Sequence, residues 1–185
     1  MRICYNTYAD LYESGDQVIE TLSVTANIFF GDLSRILSEY FCLQACKITD
    51  PEKTCGKPNL TVDHINVLLR ESNLMTDHID RYSSELHHYR DLVVGARNRL
   101  IAHSDREAVL KGLTLGMHTK QEMEAFVENL QLYCDAVGRT VGTGPLNFCE
   151  TSGPGDVLDL IGFLQEVLKA RKARKIARFV SSVGM

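Results

Sequence analysis

Residues 96–105 read ARNRLIAHSD, placing Arg97, Asn98, Arg99 and His103 within seven positions. Guanidinium groups bind phosphate oxygens through paired donors, and an imidazole exchanges protons near neutral pH. Together these residue types suit chemistry on a phosphodiester. On a helix, Arg99 and His103 are four residues apart and lie within ~40° of each other. Arg97 and His103, six apart, are separated by ~120° and ~9 Å along the axis, a span that a long arginine side chain can bridge. A structural explanation competes, because cations near a helix C-terminus are favoured by the helix dipole. It does not account for His103, which closes an apolar stripe of Leu86, Tyr89, Val93, Ala96 and Leu100. Ser104 and Asp105 read as helix-terminating residues.

A second basic run, KARKARKIAR at 169–178, supplies Lys169, Arg171, Lys172, Arg174, Lys175 and Arg178. The chain's net charge of −4 becomes −10 once those six are removed, so positive charge is segregated at this end. Such a patch fits phosphate contacts to RNA, and equally a solvated helix end. The overall negative balance argues against a protein that coats nucleic acid non-specifically.

Other chemistry-bearing patterns are incomplete. Glu85-x-x-His88 is half of a di-iron bundle signature, without the second half that such a site needs. Cys42, Cys46 and Cys55 lack a regularly spaced fourth ligand for structural zinc and read as core thiols. Neither a metal nor a cofactor is expected. No apolar run approaches a signal peptide or a membrane span, so the chain reads as a soluble, cytoplasmic protein with reduced cysteines.

The elements that must position these residues are helical. Apolar residues Ile19, Leu22, Ala26, Phe29, Leu33, Ile36 and Tyr40 alternate spacings of three and four, predicting one long helix over 17–47 with Ser14 and Gln17 as its capping pair. A short helix over 5–13 precedes it, and residues 48–59, with two prolines and a glycine, predict a loop. Thr61 caps a second helix with a face of Val62, Ile65, Leu69, Ser72, Met75 and Ile79, and a third begins near Ser83. Thr119 and Glu122 form a capping box for a fourth, with Met123, Phe126, Leu130, Tyr133 and Val137 inward. Five glycines and two prolines make 138–155 a flexible connection. Asp156 opens a last helix, about 156–182, with Val157, Leu160, Ile161, Leu164 and Leu168 inward. The result is a single all-α domain over 1–185, a bundle of four principal helices plus flanking ones, with its core at about 16–142.

The run RNRLIAHSD resembles the arginine–polar–histidine signature of HEPN domains, and especially that of their abortive-infection, AbiU-type branch. ITDPEKTCGKPNLTVDHI is similar to that branch's loop entering its next helix, and GDVLDLIGFLQ to its final helix, in family order. The resemblance implies an up-and-down helical bundle that dimerises, bringing two motif copies to a common cleft where RNA is cut without metal. It implies Arg97 as the motif arginine, Asn98 as the polar residue after it and His103 as the motif histidine, with Arg99 in a secondary electrostatic role. Near relatives of this branch often carry an acid where this chain has Asn98. The implied role is phage defence, or the toxin of a toxin–antitoxin pair held by an antitoxin protein. The alternative is a non-catalytic helical module for dimerisation or RNA binding.

Overall fold

The computed structural model describes residues 1–98, 118–145, 148 and 152–183, with side chains at the C-terminal end as far as Lys175. Among the described residues, six helices and one small hairpin follow in order: α1 (Arg2–Tyr12), α2 (Asp16–Ile48), β1 (Lys53–Thr54), β2 (Lys57–Pro58), α3 (Val62–Glu71), α4 (Asp77–Ala96), α5 (Lys120–Thr140) and α6 (Val157–Val183). The fold is all-α. The antiparallel hairpin pairs Lys53 with Pro58 and Thr54 with Lys57, inside the segment expected to be a loop.

Local chemistry sets most helix starts. The Thr61 and Thr76 hydroxyls accept from the backbone N–H groups of His64 and Ile79, both at 3.3 Å. At Thr119 the expected capping box is complete, with the Glu122 N–H donating to the hydroxyl and the Glu122 carboxylate accepting from the Thr119 N–H. Asp156 opens α6 by accepting from the N–H groups of Leu158 and Asp159. The Ser14 hydroxyl, expected at the start of α2, donates back to the Ala9 carbonyl instead.

Three boundaries differ from the sequence reading. The helix expected to continue from Thr61 to Ile79 stops at Glu71, because Asn73 adopts a left-handed φ of 57°. Its N–H bonds the Arg70 carbonyl and that of Leu74 bonds the Leu69 carbonyl, closing the carbonyl end of α3. The next helix therefore starts at Asp77 rather than near Ser83. Gly138, expected in the flexible connection, is a buried residue of α5.

The chain comprises two compact units, Met1–Arg2 with Glu39–Glu150, and Ile3–Ser38 with Thr151–Met185. In the second, Leu11, Leu22, Phe30 and Ile161 form the buried core, joined by Val18, Leu33, Leu37 and Leu164. The expected stripe of α2 holds in part: Leu22 is buried and Ala26 and Leu33 pack against the core, but Ile19, Phe29, Ile36 and Tyr40 are exposed, while Phe30 and Phe41 are buried. Ala26 departs from helical geometry (φ −159°, ψ 69°), so one apolar period cannot run the length of the helix. Leu160 of α6, also expected inward, is exposed.

In the first unit α4 packs along α5. Phe41, Tyr89 and Phe126 interlock there, Tyr89 and Phe126 at 4.5 Å between ring centroids and Phe41 edge-on to both. Aromatic pairs of this kind add ~0.5–1.5 kcal/mol beyond area burial. A buried polar chain ties three helices: the Tyr133 hydroxyl donates to Asn66 Oδ1 (2.9 Å), and Asn66 Nδ2 donates to Ser83 Oγ (2.7 Å). Cys42 and Cys46 are buried as expected, whereas Cys55 is exposed at the hairpin turn.

Candidate functional site

α4 carries Ile79, Leu86, Tyr89 and Val93 into the core, which fixes the azimuth of everything that follows. Arg97 lies one residue past the helix, keeping helical dihedrals (φ −54°, ψ −48°) with its N–H reaching the Val93 and Val94 carbonyls. Arg97 Nη1 donates to Asn98 Oδ1 at 2.8 Å, so the arginine and the polar residue after it form a joined pair. Asn98 is exposed.

Arg97 Nη2 donates to Asp50 Oδ2 at 3.0 Å, and Arg90 Nη2 donates to the other oxygen, Oδ1, at 3.3 Å. Arg90 and Arg97 are seven residues apart, which returns them to nearly the same helix azimuth. One carboxylate thus bridges two guanidinium groups. The three side chains are 19–28% exposed, enough for solvent contact and buried enough to strengthen their electrostatics. Two cations and one anion leave a net positive charge at the group.

Beneath the group lies Cys46, which is fully buried. Burial pushes its thiol up, against the opposing pull of Arg97 and Arg90, so it stays protonated and apolar. Neither Asp50 nor Arg90 was singled out by the sequence reading. Arg90 has a legible signal, the seven-residue spacing to Arg97. Asp50 has none, since 47 positions separate it from Arg97 and no periodicity links them.

Arg99 and His103 lie outside the described residues, as does the Arg178 side chain. The remaining basic residues, Lys169, Arg171, Lys172, Arg174 and Lys175, are all exposed on α6. Lys169 and Lys172 line a groove of about 180 Å³ with Gln17, Glu20, Thr21 and Val24 of α2. Glu85 and His88 line a separate groove of about 230 Å³ between α4 and α5, together with Tyr89 and Glu122. Among the described residues, no three histidine, cysteine or acidic side chains are grouped as a metal would require. No described helix is long and apolar enough to cross a membrane.

A family model for HEPN domains of the AbiU2 type matches residues 1–167, a span that takes in Asp50, Arg90, Arg97, Asn98 and His103 and stops short of the basic run. No curated protein and no solved structure matches the chain.

Proposed function

This chain belongs to the AbiU2 family of HEPN proteins, and from that premise we propose that it is a metal-independent endoribonuclease that acts in abortive infection or as a toxin. The observation that carries the reading is the disposition of Arg97, which is held at the end of α4, joined to Asn98 and left with solvent access. In this mechanism the RNA's own 2'-hydroxyl attacks the neighbouring phosphorus and the 5'-oxygen of the next nucleotide leaves, giving a cyclic phosphate and a free 5'-hydroxyl. The protein must stabilise the charge on the phosphorane-like transition state and move two protons. Arg97 serves the first need through the guanidinium donors that Asp50 and Asn98 leave unused. His103 serves the second. One imidazole does not readily act as base and acid at once, so a second copy contributed by a homodimer partner completes the site.

Exposed apolar side chains support the dimer. Val24, Ile28, Phe29 and Ile36 on α2 are 51–82% exposed, an apolar set that a monomer gains nothing by showing to water. The lysines and arginines exposed on α6 (Lys169, Arg171, Lys172, Arg174, Lys175) supply phosphate contacts in this reading, with Arg99 and Arg178 added by sequence.

A second reading has its own support. The ion pair of Arg97 with Asp50 is a structural use of the arginine, and it favours a non-catalytic dimerisation or RNA-binding module. One assay separates them: purified protein is incubated with mixed RNA in EDTA, beside Arg97→Ala and His103→Ala variants. Cleavage by wild type that both substitutions abolish is the enzyme's result. Intact RNA after incubation with folded wild-type protein leaves the binding module.

A further inference from the structure

We propose that Asp50 is the positioning residue of this site. Its carboxylate, fixed two residues past the end of α2, sets the Arg97 guanidinium and recruits Arg90 beside it, so that a phosphodiester meets two arginines instead of one. The proposal rests on the RNA-cleaving reading above.

Asp50 is itself held on both sides. Thr49 before it is buried, and its hydroxyl donates to the Ala45 carbonyl at 2.7 Å, anchoring the end of α2. Pro51 after it biases Asp50 towards extended backbone. Asn59 then clamps the return of the loop, with Nδ2 donating to the Pro51 carbonyl (2.9 Å) and its N–H to the Glu52 carbonyl (2.7 Å). The carboxylate therefore projects from a braced frame. Arg97, one residue past the end of α4, carries a long side chain with many rotamers to choose among. A fixed acceptor at 3.0 Å removes that freedom before substrate arrives.

The charge balance speaks for positioning over a latch that blocks the arginine. A structural ion pair needs one cation, yet Asp50 holds two. Of the five guanidinium N–H donors of Arg97, the bonds to Asp50 and Asn98 occupy two. Arg90 Nε is buried without a partner among the described residues, so Arg90 can meet a phosphate only through the partly exposed end of its guanidinium group. An arriving phosphate neutralises the surplus charge and has donors to meet without displacing Asp50.

The test compares RNA cleavage by wild type, Arg97→Ala, Asp50→Asn, Asp50→Glu and Arg90→Ala, with urea unfolding to confirm that each is folded. Asp50→Asn is expected to lower kcat by roughly ten- to a hundredfold with a smaller change in KM, and Asp50→Glu to recover part of the loss. In a His103→Ala background, Arg90→Ala is expected to reduce the slope of log affinity for single-stranded RNA against log salt by ~0.7, one phosphate contact. If wild type cuts RNA, Arg97→Ala does not, and Asp50→Asn cuts as fast as wild type or faster, the ribonuclease reading stands and the positioning role is overturned. Should Asp50→Asn fail to fold, an Arg90→Ala slope equal to the parent's overturns the two-arginine site by itself. Wild type that leaves RNA intact removes both proposals together.

Discussion

Asp50 and Arg97 meet at 3.0 Å although 47 residues separate them, one just past the end of α2 and the other just past the end of α4. Because the same carboxylate also takes Arg90 at 3.3 Å, the three substitutions are not equivalent. Removing either arginine leaves a simple ion pair. Removing Asp50 leaves two partly buried guanidinium groups facing each other without a counter-charge. Asp50→Ala is therefore expected to destabilise the fold by about 1–3 kcal/mol, between the small effect of exposed pairs and the larger one of buried pairs, and Arg90→Ala and Arg97→Ala by less. Urea unfolding of the three variants gives the ranking; an Arg97→Ala loss equal to that of Asp50→Ala would show that Arg90 is not part of the group.

The polar chain through Asn66 gives a second ranking. Tyr133→Phe removes one donor from Asn66 Oδ1, whereas Asn66→Ala takes away the Ser83 hydroxyl's donor and leaves the Tyr133 hydroxyl only the longer bond to the Val62 carbonyl, 3.4 Å. Tyr133→Phe is expected to lose about 1–2 kcal/mol and Asn66→Ala more than that. Thermal unfolding of the two variants checks the order, which the reverse result would refute.

Glycines test packing in opposite directions. A Cβ on Gly138 would stand 3.0 Å from Gly144 Cα and 3.3 Å from its nitrogen, both backbone atoms that no side-chain rotation can move aside. Gly138→Ala should cost about 1–3 kcal/mol by overpacking. Gly162, within α6, has nothing within 4 Å of the added Cβ, so Gly162→Ala should stabilise by about 0.5–1 kcal/mol through helix propensity. Calorimetry on the pair is decisive: melting temperatures that move the same way would contradict the close approach.

How much of this was legible in the sequence depends on the range of the interaction. The capping box of Thr119 and Glu122, the Thr61 cap and the opening of α6 at Asp156 are contacts over two or three residues, and each forms as read. The break at Asn73 is equally local, yet it was hidden because the apolar spacing continues across it from Leu69 to Ile79. In α2 the predicted stripe holds at Leu22 and Leu33, but at two places the neighbouring residue is buried instead, Phe30 rather than Phe29 and Phe41 rather than Tyr40. At the candidate site, Arg97 and Asn98 were singled out by their resemblance to the family motif, whereas helical spacing alone favoured Arg99. Asp50 was not singled out, because a contact across two helices leaves no periodic trace.

Acid and alkali are expected to weaken the first unit for different reasons. Burial pushes the Cys42 thiol up to about 11 from an ordinary 9.0, with the nearby Cys46 adding to the shift. The unfolded chain then ionises first as pH rises through 9, so stability present below that pH declines up to about 11. The two-unit gap corresponds to at most about 2–3 kcal/mol at 1.36 kcal/mol per unit. Burial raises the Tyr89 and Tyr133 hydroxyls as well, steepening the loss at higher pH. His118, packed edge-on to Tyr89 at 5.5 Å, is shifted the other way: burial lowers its pKa from 6.5, and Glu122 only partly opposes this. Below 6.5 the unfolded chain takes up the proton first, so stability present above that pH declines as pH falls through the folded-state value. Urea midpoints measured from pH 5 to 11 should therefore be highest between about 7 and 8.5, with His118→Gln flattening the acid side and Cys42→Ala the alkaline side. An alkaline limb unchanged by Cys42→Ala would assign that loss to the two tyrosines instead.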